Sequence, residues 1–187
     1  MSGRMDKRQT VIPLLAVATL VLGLALSLLG DFDDDASAGE SAANGAMAAM
    51  PAEARLTHQR FQQAVALLQH REYEAAMQGF HEVLKTAPDM PEAHVNMGFA
   101  LLGLEEYEAA RSFFDTASSL RPAQANAYYG LAVASEGLGD LAQARTAMQA
   151  YLHVADENDP YRRQAESAIW EWEAALAAQN DAQETDN

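Results

Sequence analysis

The sequence predicts an all-α protein built as an array of paired helices. The stretch 91–122 holds two short amphipathic helices bounded by Pro91 and Pro122, and it matches itself when shifted by 34 residues. A fixed period of this length is a mark of a stacked helical-repeat array. Small residues recur in the same register, where we expect two helices to cross closely because neither projects bulk. The predicted repeat-packing pairs are Ala64 with Ala76, Gly98 with Ala110, and Ala132 with Ala144.

At these positions the chain resembles the tetratricopeptide repeat (TPR) family, whose two helices in each repeat meet at such small residues. The resemblance covers three copies, which we place at 57–90, 91–124 and 125–158 within a repeat region of 53–158. It implies an α-α superhelix of right-handed twist, in which the first helix of each repeat lines a concave groove. The predicted fold class is therefore a TPR-like helical repeat with a C-terminal capping helix, preceded by one transmembrane helix.

The chain begins with a segment that predicts a membrane anchor. Residues 11–30 carry no charge, and about 20 apolar residues suit one helical crossing of a bilayer. Three basic residues precede this run and four aspartates follow it, so the positive-inside rule places residues 1–10 in the cytoplasm. In a bacterium this predicts an inner-membrane protein with periplasmic repeats. A cleaved signal peptide, ending near the Ala-Ser-Ala site at 36–38, is the alternative.

The segments around the repeats have distinct compositions. Residues 31–52 are mostly small and acidic, which predicts a flexible linker because they cannot bury enough apolar area to offset ordering entropy. Prolines then separate the helices of the first two repeats. Over 159–178, Asp159 and Pro160 suit a helix start and an apolar stripe predicts a seventh, capping helix. Residues 179–187 predict a disordered acidic tail.

The TPR resemblance places one set of side chains along the concave groove. These predicted partner-binding residues are Phe61, Val65, Leu68, Val95, Phe99, Leu102, Tyr129 and Val133. We expect Phe61, Phe99 and Tyr129 to be the anchors, since aromatic side chains are common in binding grooves. An open apolar face of this kind would bind an extended or helical segment of another protein. The alternative is that the linker or the seventh helix of the chain itself covers the groove.

Several kinds of site are absent from the sequence. The net charge of −15 argues against nucleic acid and anionic lipid headgroups, and the lack of cysteine excludes disulfides and thiolate metal sites. The five histidines lack metal-ligand spacing, and the acidic run 156–159 lacks the glycine and the final glutamate of a calcium loop. No phosphate-binding or nucleophile motif occurs. We therefore predict no catalytic residue, no metal and no cofactor.

The resulting function is a membrane-anchored protein-protein interaction module, not an enzyme, acting as scaffold or assembly factor of an envelope complex. A grip on a C-terminal carboxylate, known among TPR proteins, is not expected because only Asn96 occupies a suitable position. One alternative is a chaperone-like accessory factor in periplasmic protein maturation, such as cytochrome c biogenesis. Another is a self-associating array. Trp170 lies off the apolar stripe of the seventh helix, where it is either the rim of an interface or simply exposed.

Overall fold

The structure is a computed structural model and describes residues 50–185. This part of the chain contains seven α-helices and no strand. In chain order the helices are α1 (Ala52–Gln69), α2 (Tyr73–Thr86), α3 (Pro91–Gly103), α4 (Tyr107–Leu120), α5 (Ala125–Gly137), α6 (Leu141–Val154) and α7 (Arg162–Thr185). They form three helical hairpins, α1 with α2, α3 with α4 and α5 with α6, and α7 packs against α6. The predicted all-α, TPR-like array is confirmed.

The structure describes the C-terminal end of the chain but almost nothing of the predicted N-terminal segments. The predicted membrane anchor at 11–30, residues 1–10 and nearly all of the linker lie outside the described residues. Within residues 50–185, none of the helices combines the length and the apolar character that a bilayer crossing requires. At the other end α7 continues to Thr185, beyond the predicted end of the capping helix at 178. Residues 179–185 contain neither proline nor glycine, so no residue there stops the helix.

The turn inside each hairpin uses one residue in the left-handed backbone region. Arg71, Glu105 and Gly139 have φ values of 61°, 61° and 77°, and they follow one another at the 34-residue period. In each turn, the N–H of the following residue donates to a carbonyl in the last turn of the first helix, as with Asp140 to Ser135 at 2.9 Å. Only the third repeat supplies glycine, the residue that enters this region without steric cost.

Replacing Gly139 by alanine is expected to lower the free energy of unfolding by about 1–2 kcal/mol, the usual cost of a left-handed backbone for a residue with a Cβ atom. An added Cβ would meet no atom within 4 Å, so the loss would be conformational rather than steric. Urea unfolding followed by circular dichroism measures it. Gly139→Asn, which tolerates this region better, is the control and should lose less. An unchanged midpoint for Gly139→Ala would contradict this account.

The centre of the array is a phenylalanine held between two glycines. Phe114 of α4 is fully buried, and its ring fills the space beside Gly98 of α3 and Gly130 of α5. A Cβ atom on Gly98 would lie 2.7 Å from that ring, and one on Gly130 would overlap it. The small residues therefore admit a large ring from a neighbouring helix, which ties the second repeat to the third.

The other predicted small residues also lie in the interior. Ala64, Ala76, Ala110, Ala132 and Ala144 are fully buried. The 34-residue period does not single out Gly79 of α2, on which a Cβ atom would lie 2.8 Å from that of Ala64. In the first hairpin, α1 and α2 therefore approach each other closely at a glycine as well.

The stacking face of the first helix in each repeat shows how the array ends. Its buried positions are Ala93, Met97 and Ala100 in α3, and Ala127, Leu131 and Ala134 in α5. One period earlier, α1 has Gln59, Gln63 and Ala66, all exposed. One period later, the chain has Tyr161, Ala165 and Ala168 at α7, with Ala165 fully buried. Hence α1 presents a polar end face to water, whereas α7 takes the place of the first helix of a fourth repeat.

Candidate protein-binding site

The predicted groove residues fall into two classes of exposure. The buried ones are Leu68, Val95, Phe99, Leu102 and Tyr129, and the half-buried ones are Phe61, Val65 and Val133. Five of the eight side chains thus have little surface left for a partner. The half-buried residues lie in the first and third repeats, while the predicted groove residues of the middle repeat belong to the core.

The rings of two of the three predicted anchors pack against other aromatic rings inside the protein. Phe99 is 5% exposed and meets Phe114 edge-on, with ring centroids 5.1 Å apart. Tyr129 is 2% exposed and meets Tyr151 in the same way at 5.3 Å. Phe61 packs on Phe80 at 5.8 Å but stays half-buried because no repeat precedes α1 in the described array. Their role as anchors stays a prediction, for which Phe61 offers the most open ring.

Two polar side chains on the first helix of the middle repeat, Asn96 and Glu92, are already paired within the chain. Asn96 is buried, and its amide donates to the carbonyl oxygen of Glu92 at 2.8 Å. The Glu92 carboxylate forms an ion pair with Arg121. The one asparagine in a position suited to a carboxylate ligand is therefore satisfied by its own helix.

Helix α7 is fixed to the third repeat by hydrogen bonds around its start. The Asp159 carboxylate accepts bonds from the Tyr151 hydroxyl at 2.7 Å and from the backbone N–H of Tyr161 at 2.9 Å. The Arg162 guanidinium donates to the carbonyl oxygens of Leu152 and Ala155, which lie at the end of α6. A cation at a helix C-terminus also complements the helix dipole. The start of α7 is thus an integral part of the array.

A partly buried carboxylate lies where α7 meets α5. Glu136 accepts a hydrogen bond from the indole N–H of Trp172 at 2.9 Å, and Trp172 is 2% exposed. Burial raises the pKa of Glu136 above its usual value, the Trp172 bond opposes that rise, and the nearby charge of Glu171 adds to it. The same environment raises the pKa of Tyr129, chiefly through burial. Burial and the neighbouring Glu171 thus both disfavour the charged form of Glu136.

Replacing Glu136 by glutamine is expected to stabilise the protein at neutral pH, because the amide oxygen can still accept the Trp172 bond while the buried charge is removed. A raised pKa in the folded state means that the parent binds more protons folded than unfolded, so its stability falls as pH rises from about 4.5 through the raised pKa. We expect a gain below about 1 kcal/mol at pH 7, because Glu136 keeps some solvent.

Urea unfolding of the parent and the variant between pH 4 and pH 8 measures this difference, which should grow with pH across that window and then level off. Glu171→Gln is the control, with a smaller gain, since it removes only the neighbouring charge. A Glu136→Gln variant that is less stable than the parent at pH 7 would contradict the assignment.

The described residues contain no ready-made cluster of metal ligands. No group of three or more histidine or carboxylate side chains in 50–185 is placed to hold a metal ion. The largest side chain open to solvent in that range is Trp170, which is 71% exposed.

A profile of the tetratricopeptide repeat matches residues 67–119 and 101–169, together more than half of the 187-residue chain. The protein belongs to the tetratricopeptide repeat family, and its repeats form a protein-protein interaction domain. The search of curated proteins found no match.

Solved structures with the same fold include two TPR domains and a secretion chaperone. The second TPR domain of human RPAP3 in complex with the HSP70 peptide SGPTIEEVD is 18% identical, with a TM-score of 0.56, covering 63% of this chain and 98% of that chain. The TPR2B domain of yeast Sti1 in complex with pHsp70 is 18% identical, with a TM-score of 0.60, covering 64% and 97%. The type III secretion translocator chaperone SycD of Yersinia enterocolitica is 13% identical, with a TM-score of 0.60, covering 64% and 93%. At these identities the likeness concerns the fold.

Proposed function

We propose that the protein is a membrane-anchored interaction module whose concave face holds a segment of another protein, as scaffold or assembly factor of an envelope complex. The observation that carries this proposal is a TPR array with aliphatic and aromatic side chains left half-buried on the first helices of its first and third repeats. Phe61, Val65 and Val133 are the side chains on which a partner segment would bury apolar area.

The ligand differs in kind from those of the two peptide-bound relatives. The peptide on RPAP3 ends in EEVD and is acidic. The present chain carries a net charge of −15, its Asn96 amide is bonded to Glu92, and Arg121 is paired with the Glu92 carboxylate. An acidic tail would meet repulsion without the donors that bind a carboxylate. We therefore infer an apolar or basic segment as the ligand.

The experiment for the groove is site-specific photo-cross-linking in cells. A benzoylphenylalanine at position 65 or 133 is expected to capture a discrete partner, because both side chains are partly open and both belong to the predicted groove. The matched controls are positions 112 and 146, which are exposed on the second helices of repeats two and three. Equal capture from the control positions, or none from 65 and 133, would overturn the proposal.

The membrane anchor at 11–30 is the second part of the proposal and rests on the uncharged apolar run and the charges around it. We expect the full-length chain to stay with the membranes on carbonate extraction. External protease should cleave the repeats once the outer membrane is opened. A shortened chain in the soluble periplasmic fraction would instead show the cleaved signal peptide.

A further inference from the structure

The side of α7 that faces away from the array carries an exposed tryptophan. The inner side of α7 packs on the third repeat, where Trp172 bonds to Glu136 and Ala165 is fully buried. Trp170 lies two positions before Trp172, about 200° around the helix, and is 71% exposed. The indole of Trp170 therefore points away from the array.

Trp170 belongs to a row of exposed residues that are spaced alternately four and three positions apart. This is the spacing of the a and d positions of a coiled coil, which form a seam along one side of a helix. In the described part of the chain, no other helix buries this side of α7. The row, which we call the outer seam, consists of Arg163, Ser167, Trp170, Ala174, Ala177 and Asp181, all of them exposed.

The last described turns of α7 are exposed on all sides. Residues 177–181 are helical and every one of them is exposed, although five consecutive residues cover the whole circumference of a helix. A short helical stretch without packing is marginal in water. A second helix along the outer seam would stabilise these turns and bury Trp170.

The charges of the outer seam are complementary to those of a second copy in the antiparallel orientation. Arg163 lies near the start of α7 and Asp181 near its end, and neither forms an ion pair within residues 50–185. A parallel pair would bring each charge against the same charge. An antiparallel pair with its two-fold axis beside position 172 brings each Arg163 to the Asp181 of the other copy. The same register lays Trp170 against Ala174, whose small side chain leaves room for an indole.

We propose that two copies of the protein associate through the outer seam, with their α7 helices antiparallel. In such an isologous contact the Arg163–Asp181 and Trp170–Ala174 pairs each occur twice. The contact is small, with one large apolar side chain from each copy, so we expect a dissociation constant of about 1–100 µM. This inference goes beyond the proposed function and does not depend on it, because the half-buried groove residues belong to α1 and α5.

Charge also selects a second copy as the occupant. The outer seam carries one positive and one negative residue, so it offers no net charge to a strongly basic or acidic segment, whereas it complements itself at both ends. The net charge of −15 opposes association at long range. At physiological salt, however, exposed charges that are more than about 8 Å apart are largely screened. The two close charge pairs therefore decide the orientation of the contact.

Disulfide mapping tests this orientation, since the chain has no cysteine of its own. Full-length Ser167→Cys and Ala177→Cys proteins are mixed in an uncharged detergent and oxidised with copper phenanthroline. The proposed register brings position 167 to position 177 and separates like positions by ~15 Å along the helix. We expect the mixed disulfide and little of either self-disulfide. Preferential self-linking of Ser167→Cys would show a parallel pair and overturn the inference.

Sedimentation equilibrium in a density-matched, uncharged detergent gives the strength of the dimer. Trp170→Ala should weaken it by about tenfold or more and leave the helical content unchanged, because the side chain is mostly exposed in the single copy. Leu120→Ala, at an exposed apolar residue at the end of α4, is the control and should dimerise like the parent.

Charge reversal separates pairing from folding. Arg163→Asp and Asp181→Arg should each weaken the dimer by about fivefold or more, because each places like charges at both ends of the seam. Both changes suit the helix dipole and should leave α7 intact. Mixed in equal amounts, the two variants should pair with each other, since the acidic seam of one faces the basic seam of the other. Arg55→Asp, at an exposed arginine of α1, changes the net charge as Arg163→Asp does and is the control.

Three results would overturn the inference. The first is a parent protein that stays monomeric at about 100 µM. The second is a Trp170→Ala variant that dimerises like the parent. The third is a mixture of Arg163→Asp and Asp181→Arg that pairs no better than either variant alone, because the charges of the outer seam would then not meet across the contact.

Discussion

Phe99→Glu is expected to unfold the protein rather than to remove a binding anchor. Phe99 is 5% exposed and its ring meets Phe114 edge-on, so a carboxylate there would be buried among apolar groups without a cation. Such burial costs several kcal/mol, a large share of the roughly 5–15 kcal/mol that typically separates folded from unfolded protein. Circular dichroism and a thermal melt should show loss of the cooperative transition or a midpoint lowered by well over about 10 °C.

The repeats supply matched controls for this substitution. Val65 and Val133 lie one period before and after Phe99, and both are half-buried. Val65→Glu and Val133→Glu should therefore fold, because their carboxylates can stay in water. A cooperative, parent-like melt for Phe99→Glu would show that the middle repeat has an open face, contrary to the burial of its groove residues.

Gly130→Ala is expected to lower the free energy of unfolding by about 1–3 kcal/mol, the usual range for overpacking a filled core. The added methyl group would overlap the ring of Phe114, which is itself confined by Gly98 on α3. Because the ring is fully buried, it cannot move aside without displacing α3 or α5. Urea unfolding followed by circular dichroism measures the loss.

A smaller side chain at position 114 should rescue Gly130→Ala. Phe114→Leu alone is expected to cost about 1–3 kcal/mol, because it leaves a cavity between the two glycines. In the double variant the methyl group enters that space, so the combined loss should fall short of the sum of the two single losses by about 1 kcal/mol or more. Strict additivity would show that Gly130 and Phe114 do not share the contact assigned to them.

Much of the architecture follows from local sequence rules. The 34-residue period, the prolines between the first repeats and the small residues predicted three hairpins and a seventh helix, and the fold has them. The repeat period and the turn residues are properties of the sequence, so they can be recognised without knowing which helices pack together. The end of α7 was harder to predict, because no residue near 178 marks where the helix should stop.

The exposure of the groove residues was decided by tertiary packing. Whether a side chain on the first helix of a repeat is exposed depends on the side chains that neighbouring helices pack against it. The 34-residue period does not give this information. Phe99 and Val65 share a repeat position, yet only Phe99 is buried, since it lies in the middle repeat with a hairpin on each side. The sequence by itself determined a TPR array. Only the packed structure showed that Phe99 and Tyr129 are buried and that Trp170 is exposed, because burial depends on neighbours that are distant in sequence.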